Sequence, residues 1–364
     1  MWTSARCSLP GLLCLLALAA CAGLPSSDPD PDALDRELDR LETRGMVGQV
    51  VVADREGILY QRGLGKVRTD NDEPVTPDHV FPLASLTKPF TAAAILALAA
   101  DGRLALDDRL GEHLSGLESP WADIPLESLL THTSGFPAEI VNRAWDGDPQ
   151  FEPVDREEFV GRIRHFPPDH PPGEGYNYSN VGYGLLGALI EEVTGSDWEA
   201  WLRERLLEPA GLEAIGLMHP QWTEKQIVEG RQRGQGWGTY LDQPRLEDGL
   251  GFHLRASGDL HAPATAVVDW WKAVASEDFL DPEWTGRWLT PRVDEQDGTR
   301  YGYGWHFRDS RHGPVIGHTG GNRIYAVDFS WFRDPDILVY IATAESRFEA
   351  DLLADRIHRS LLGR

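Results

Sequence analysis

Cysteine is almost missing from this 364-residue chain, and its few cysteines lie at one end. The three are Cys7, Cys14 and Cys21, so the sequence after residue 21 contains no thiol. This excludes a disulfide framework, a cysteine nucleophile and a thiolate metal site from the rest of the chain.

Positive charge is also scarce. Lysine and arginine together number 34 against 58 aspartates and glutamates, which gives a formal net charge of -24. A surface that acidic repels phosphate backbones, and this excludes nucleic acid as a partner. The acidic residues are spread along the chain, as on a solvated surface, and the apolar fraction of 41% still allows a sizeable core.

The first segment contains a hydrophobic run without charged side chains. Gly11 to Ala20 is an apolar run, but it is too short to span a bilayer comfortably as mature structure. It ends in Leu18-Ala19-Ala20-Cys21, which is similar to a bacterial lipobox. We therefore expect a lipoprotein signal peptide over residues 1–21, with Cys21 as the lipidation site. The alternative is an ordinary signal peptide that happens to contain this cysteine.

The segment that follows, residues 22–32, is rich in proline, serine and aspartate and predicts a flexible tether. A folded domain over residues 33–364 would then be exported. Its lipid would hold it in the bacterial cell envelope, at the periplasmic or outer face of a membrane.

Strand patterns lie at both ends of this domain. Val47 to Ala53 and Ile58 to Leu64 flank turn residues and predict a hairpin. Four more strands are predicted between Tyr303 and Ala344, the first over Tyr303 to Phe307. The middle carries helical periodicity, including a helix over Pro89 to Ala100 that is apolar nearly all round.

This order of elements predicts an α+β (mixed α/β) fold in one domain. A single antiparallel sheet is built from both termini, over about 33–84 and 255–364, and is flanked by helices. An inserted, mainly helical lobe occupies about 85–254. A closing helix is expected to bury one face, formed by Phe348, Leu352, Leu353, Ile357 and Leu361.

Ser85-Leu86-Thr87-Lys88 is the central chemical signal. Pro89 lacks a backbone donor and fits only in or near the first turn of a helix, so Ser85 and Lys88 lie three residues apart on one face. A nearby ammonium favours a serine alkoxide, and a desolvated, neutral lysine can accept the serine proton. With 17 serines and four lysines, chance gives about 0.2 such pairs, so a solvated surface pair is the alternative for this motif alone.

Two further motifs strengthen the hydrolase interpretation. Tyr178-Ser179-Asn180 lies in a loop before a predicted helix, where a tyrosine hydroxyl can carry a proton and an asparagine amide can hold a substrate carbonyl. His318-Thr319-Gly320-Gly321 ends a predicted strand, and its glycines allow a substrate backbone to approach closely.

The ordered set Ser-x-x-Lys, Tyr-x-Asn and His-Thr-Gly resembles that of the class C β-lactamase and penicillin-binding-protein superfamily. That superfamily includes DD-carboxypeptidases, D-aminopeptidases and family VIII esterases. The segments Leu129 to Pro137 and Tyr301 to Trp305 also resemble it, and the resemblance covers nearly the whole mature chain. It implies a β-lactamase/transpeptidase-like fold.

The resemblance also implies a mechanism. Ser85 attacks a carbonyl to give an acyl-enzyme, Lys88 and Tyr178 share the acid and base work, and no metal or organic cofactor is needed. The backbone N–H groups of Ser85 and Gly321 form the oxyanion hole. The residues implied in binding or orienting the substrate are Asn180, His318, Thr319 and Gly320.

His318 departs from the pattern, because β-lactamases usually have lysine there. A neutral histidine does not neutralise a substrate carboxylate; Arg323 is a candidate replacement. The resemblance therefore favours an esterase or peptidase acting on a small-molecule or peptide substrate, including cell-wall fragments. The alternatives are a β-lactamase or DD-carboxypeptidase, and a catalytically idle envelope-binding lipoprotein.

Other candidates are weaker. His132 and Ser134 fit a turn that packs under the cleft better than they fit a second serine site. His253 and His261 lack the neighbours of a metal site, so no metal is expected. No Gly-x-Ser-x-Gly elbow is present, which argues against an α/β-hydrolase.

Overall fold

A computed structural model describes residues 31–137, 152–217, 222–223, 225–242, 250–295, 297–348 and 350–362. Its centre is an eight-stranded antiparallel sheet in the order β2-β1-β13-β12-β11-β10-β9-β8. These strands are β1 Gly48–Ala53, β2 Ile58–Leu64, β8 Val293–Asp294, β9 Arg300–Tyr301, β10 His306–Ser310, β11 Gly313–Gly321, β12 Ala326–Phe332 and β13 Ile337–Thr343.

Both chain ends contribute to this sheet, as the sequence predicts. The first strand, β1, pairs with the last strand, β13, with Gly48 opposite Thr343 and Val50 opposite Ile341. Both strands are buried along their whole length, because helices cover the two faces of the sheet. The α+β fold is therefore confirmed.

The helices surround this sheet and fill the middle of the chain. In the described residues they are α1 Pro31–Thr43, α2 Lys88–Ala100, α3 Leu110–His113, α4 Leu126–Leu130, α5 Arg156–Ile163, α6 Asn180–Thr194, α7 Trp198–Leu202, α8 Phe252–Gly258, α9 Ala264–Ala275, α10 Pro282–Trp288 and α11 Ala350–Leu362. The terminal helices α1 and α11 pack together over one face of the sheet, and α9 packs over the other. None of these helices is long and apolar enough to cross a membrane.

The first helix begins slightly earlier than the sequence suggests. It starts at Pro31, so the last two residues of the expected tether, Pro31 and Asp32, are already helical. Proline suits the first turn of a helix, where its missing N–H has no intrahelical partner. The expected signal peptide and Cys21 lie outside the described residues.

The middle of the chain is less uniformly helical than expected. A small sheet pairs β3 Val80–Pro82 with β7 Leu260–Pro263 and β7 with β4 Gly216–Leu217. A hairpin, β5 Gly230–Gln232 with β6 Gln235–Gly238, follows. These strands are only two to four residues long, too short to show a clear alternation in the sequence.

Two local predictions were wrong, and the packing explains both. The expected strand at Tyr303 is instead a turn, because Gly304 has φ +79° and a Cβ there would lie 2.8 Å from the Cα of Pro89. In α11, Leu353 and Ile357 are buried as expected, but Leu352 is 55% exposed.

Candidate active site

Ser85 lies in a tight turn between β3 and α2. Residues Ala84–Thr87 form a 3-10 turn that runs directly into α2. Ala84 has φ +45°, a strained value for an alanine, which costs about 1–3 kcal/mol where the surroundings impose it. The turn leaves the Ser85 side chain partly exposed while Ala84 and Leu86 are buried. The serine is therefore the accessible group at the start of a buried helix.

Lys88 is completely buried beside this serine. Its Nζ lies 3.0 Å from Ser85 Oγ and donates a second hydrogen bond of 2.9 Å to the backbone oxygen of Ser257. Burial lowers the pKa of Lys88 well below its usual value. This shift favours the uncharged amine, the form of lysine that can accept the proton of Ser85. The surface-pair alternative is incompatible with this burial.

The segment that supplies Ser257 holds the start of α2 at several points. Thr91 donates through its hydroxyl to the backbone oxygen of Ala256 at 2.6 Å. The backbone N–H of Leu260 donates to the hydroxyl of Thr87 at 3.1 Å. These contacts fix the position of the amine in a way that the sequence does not reveal, because they join segments far apart in the chain.

The ring of Tyr178 packs against the amine of Lys88. The Lys88 Nζ lies 4.8 Å from the centroid of the Tyr178 ring. Burial raises the pKa of Tyr178, its interaction with Ser85 works in the opposite direction, and the charge of Glu295 raises the pKa further. The phenol is therefore protonated at neutral pH and can donate its proton.

His132, from the Leu129 to Pro137 segment, supports the Tyr178 loop. It is fully buried, has φ +58°, and its Nδ1 accepts the backbone N–H of Ser179 at 3.1 Å. Its ring lies 4.3 Å from the Tyr178 ring, centroid to centroid. Burial, together with the charges of Lys88 and His306, lowers the pKa of His132, so the ring is neutral. This agrees with the expected turn under the cleft and gives that turn a positioning role.

Strand β11 passes directly beside the serine turn. A Cβ on Gly320 would lie 2.3 Å from the backbone oxygen of Leu83 and 3.1 Å from the nitrogen of Ser85. Only glycine permits that approach. Gly321 is the next and last residue of the strand, and the side chain of Thr319 is exposed.

His318 is buried rather than open to the cleft. Its Nδ1 hydrogen-bonds the backbone oxygen of Thr319, and its Nε2 lies 3.2 Å from the hydroxyl of Tyr301. Because the carbonyl can only accept, Nδ1 carries the proton and Nε2 accepts from Tyr301. Burial, with the charges of His306 and Lys88, lowers the pKa of His318, so the ring is neutral and both nitrogens are occupied.

The two remaining predicted residues are Asn180 and Arg323. Asn180 is the first residue of α6, directly after Ser179, whose hydroxyl caps that helix by accepting the N–H of Gly182. Arg323 is exposed in the turn between β11 and β12.

A histidine–glutamate pair that none of the three sequence motifs indicates lies close to Tyr178. His306 Nδ1 lies 2.8 Å from a carboxylate oxygen of Glu295, whose side chain is 10% exposed. The His306 ring is nearly parallel to that of Tyr178, at 6.5 Å and 10°, and lies 4.6 Å from the His318 ring. The only sequence signal was the position of His306, directly after Trp305.

The other histidine candidates do not form a metal site. His261 is buried and its Nδ1 contacts the backbone oxygen of Asp259, while His253 is buried in α8. Within the described ranges, no group of three or more His, Cys, Asp and Glu side chains is arranged to hold a metal.

The sequence model of the Beta-lactamase family matches residues 33–361. The chain therefore belongs to the Beta-lactamase family and is a serine hydrolase of the penicillin-binding-protein-like type, as its three motifs predict.

The curated relatives of this chain include a penicillin-binding protein and an esterase. Penicillin-binding protein 4* of Bacillus subtilis (strain 168) is 25% identical over 83% of this chain and 69% of its own length. Esterase EstB of Burkholderia gladioli is 32% identical over 51% of this chain and 51% of its own length. The chain thus spans between about half and two thirds of the length of these relatives.

Solved structures share the fold. The octameric penicillin-binding protein homologue from Pyrococcus abyssi gives a TM-score of 0.75 at 23% identity, over 90% of this chain and 76% of that one. The D-amino acid amidase from Ochrobactrum anthropi SV3 gives 0.76 at 22% identity, over 91% and 96%. These matches confirm the β-lactamase/transpeptidase-like fold.

Proposed function

We propose that this protein hydrolyses an ester, an amide or a D-amino-acid peptide through an acyl-enzyme on Ser85. The observation that carries the proposal is the 3.0 Å contact between Ser85 Oγ and the Nζ of a fully buried Lys88. Similarity to a penicillin-binding protein, an esterase and a D-amino acid amidase supports the same reaction type.

In the first step, Ser85 Oγ attacks the substrate carbonyl while the neutral amine of Lys88 takes the hydroxyl proton. The backbone N–H groups of Ser85 and Gly321 stabilise the negative charge that develops on the carbonyl oxygen. The approach of β11 to the serine turn supports this oxyanion hole. Asn180 orients the substrate carbonyl from the start of α6.

In the second step, the tetrahedral adduct collapses and the bond to the leaving group breaks. Tyr178 donates its proton to the departing oxygen or nitrogen and regains a proton from Lys88. Water then attacks the acyl-enzyme while Lys88 takes its proton, and this proton passes to Ser85 Oγ as the acyl bond breaks and the acid is released. No step needs a metal or an organic cofactor.

The environment of His318 favours substrates without a carboxylate at that position. The ring is neutral and already bonded to Thr319 and Tyr301, so it neither neutralises an anion nor donates to one. A β-lactamase or DD-carboxypeptidase activity would need another cation, and the exposed Arg323 is the candidate. We therefore propose esterase or peptidase activity ahead of efficient β-lactamase activity.

Covalent labelling tests the nucleophile. Purified mature protein treated with a fluorophosphonate should gain one adduct in its intact mass, and Ser85→Ala should abolish it. An adduct that persists in Ser85→Ala would refute the assignment and move attention to Ser134 and Ser179. Complete absence of labelling and turnover in the folded wild type would favour an idle envelope-binding lipoprotein.

We also propose that the protein is exported and anchored through a lipid on Cys21, so that cell-wall fragments are within its reach. The lipobox-like sequence and the polar segment after it support this proposal. Cys21→Ser should leave the membrane fraction. Retention of that variant at wild-type levels would contradict the anchor.

A further inference from the structure

Next to the proposed active site lies a recess of about 320 Å³ between the end of the sheet and helix α11. Strands β10, β11 and β12, the β8–β9 turn and α11 all contribute to its walls. Its lining includes the exposed side chain of Thr319, whose neighbour Gly320 lies against the serine turn, and the ring of His306, which lies 6.5 Å from the Tyr178 ring.

The recess is strongly acidic. The described residues that line it include one guanidinium, that of Arg308, against four carboxylates: Glu295, Asp297, Asp328 and Asp355. Arg308 does not offset this excess, because it is already paired with Asp355 at 3.1 Å and also donates to the hydroxyl of Ser330 at 3.3 Å.

The remaining three carboxylates are held in place by hydrogen bonds. Glu295 contacts the His306 ring, and Asp328 accepts from the hydroxyl of Ser330 at 2.6 Å. Asp297 accepts from the backbone N–H and the hydroxyl of Thr299 at 3.0 and 2.6 Å. The hydrogen bonds from Thr299 lower the pKa of Asp297, so this exposed carboxylate contributes negative charge to the recess.

The position of the recess relative to Tyr178 shows which part of a substrate would meet it. In the proposed reaction the leaving group receives its proton from Tyr178, so it must contact that hydroxyl. Beyond Tyr178 stands the His306 ring, nearly parallel to the phenol, and behind His306 stands Glu295. A leaving group that extends from the Tyr178 hydroxyl past the His306 ring would reach the recess, whereas the acyl group stays on Ser85.

We propose that this recess selects substrates whose leaving group carries a positive charge, such as an ammonium or guanidinium on the departing alcohol or amine. The inference rests on the proposed function and names a substrate class for it. Several carboxylates attract a cation in the recess at the same time. A leaving group that carries a carboxylate is repelled by them, and Arg308 is already paired with Asp355.

A set of isosteric esters provides the test. Butyrylcholine carries a quaternary ammonium, and 3,3-dimethylbutyl butyrate is its neutral isostere with the same acyl group. We expect kcat/KM for the cationic ester to exceed that of the neutral ester by roughly three- to tenfold at low salt, the scale of a few partly exposed charge interactions. Raising sodium chloride to about 0.5 M should bring the ratio toward one, because salt screens exposed charges.

Charge variants separate a local effect from the general acidity of the protein. Asp297→Lys reverses one charge at an exposed position of the recess and should bring the ratio to one or below. Asp297→Asn keeps an acceptor for Thr299 and should give an intermediate ratio. Glu56→Lys makes the same charge reversal in the β1–β2 turn, at the opposite edge of the sheet, and should leave the ratio unchanged.

The two proposals fail in different ways. If the folded protein shows neither Ser85-dependent hydrolysis of either ester nor fluorophosphonate labelling of Ser85, the proposed function itself is wrong. Ser85-dependent hydrolysis with a ratio near one that Asp297→Lys does not change would overturn the recess alone. A ratio that Glu56→Lys lowers as much as Asp297→Lys does would also overturn it, because the attraction would then come from the net charge of the whole protein.

Discussion

The backbone N–H of Ser179 donates a 3.1 Å hydrogen bond to Nδ1 of His132, and this bond ties the Tyr178 loop to the buried turn after α4. His132, whose backbone φ is +58°, thus fixes the position of the loop that carries the proposed proton donor. Because the His132 ring also packs on the Tyr178 ring, this one residue positions both the backbone of the loop and the side chain of Tyr178.

His132→Ala should lower kcat by about tenfold with little change in KM, because a misplaced proton donor weakens the chemical step more than binding. His132→Asn should keep more activity than the alanine variant. Asparagine offers an acceptor oxygen to Ser179 and tolerates a positive φ. Steady-state kinetics on a neutral ester measures both. If the two variants lose activity equally, the hydrogen bond is not the relevant contact.

Removing the proposed acid and base should slow turnover without unfolding the protein. Lys88→Ala and Tyr178→Phe should each reduce kcat by roughly 10²-fold or more, the usual scale for general acid–base groups. Single-turnover acylation rates and melting temperatures should be measured together. Near-normal turnover in a folded Lys88→Ala variant would contradict the role given to this amine.

The close approach of β11 to the serine turn predicts that Gly320→Ala is damaging. Its new Cβ would meet the Leu83 oxygen at 2.3 Å, so the backbone must shift, at a cost of about 1–3 kcal/mol. A shift of that strand should reduce kcat/KM at least tenfold. Gly286→Ala, where a Cβ would meet nothing within 4 Å, is the matched control and should keep full activity. Equal behaviour of the two variants would show that the approach does not matter.

His358 in α11 predicts loss of stability in acid. Burial and the neighbouring charge of His312 lower the pKa of His358 from 6.5 to about 4. The unfolded state therefore binds more protons between these values, and the free energy of unfolding should fall as the pH drops from about 6.5 to 4, by up to about 1.4 kcal/mol per pH unit. Above pH 6.5 the ring of His358 is neutral in both states, and its full contribution to the free energy of unfolding is present.

Urea unfolding at pH 7.5 and at pH 4.5 measures this effect. His358→Phe fills the site against Phe332 without a titrating group, so it should lose less stability on acidification than the wild type does. The exposed His165→Gln is the control and should behave as the wild type. The same acid-induced loss of stability in all three proteins would show that His358 is not the group responsible.

The sequence predicts those parts of the site that depend on local spacing. Ser85 and Lys88 meet because a turn and a helix start fix their separation, and Pro89 marks that start. The hairpin of β1 and β2 is equally local. Two β-rich runs with turn residues between them are sufficient to predict it.

Contacts between distant segments could not be read from the sequence. The Ser257 oxygen reaches Lys88 only after α8 packs on α2, and no pattern near either residue records this. Strands β8 and β9 have two residues each, so nothing in their sequence shows that they carry Glu295 to the side of His306. Likewise, the apolar spacing of α11 counts Leu352 with the core, although it is exposed beside the recess.

The pairing of β1 with β13 has a consequence for synthesis. The second partner of β1 is β13, which follows all the other described strands, so one edge of the β1–β2 hairpin stays open until residues 337–343 have been synthesised. A chain that stops before Ile337 leaves β1 and β12 each with one unpaired edge, and unpaired edges of buried, apolar strands are sites of aggregation. Short truncations at the C-terminus should thus yield insoluble protein rather than a smaller working enzyme.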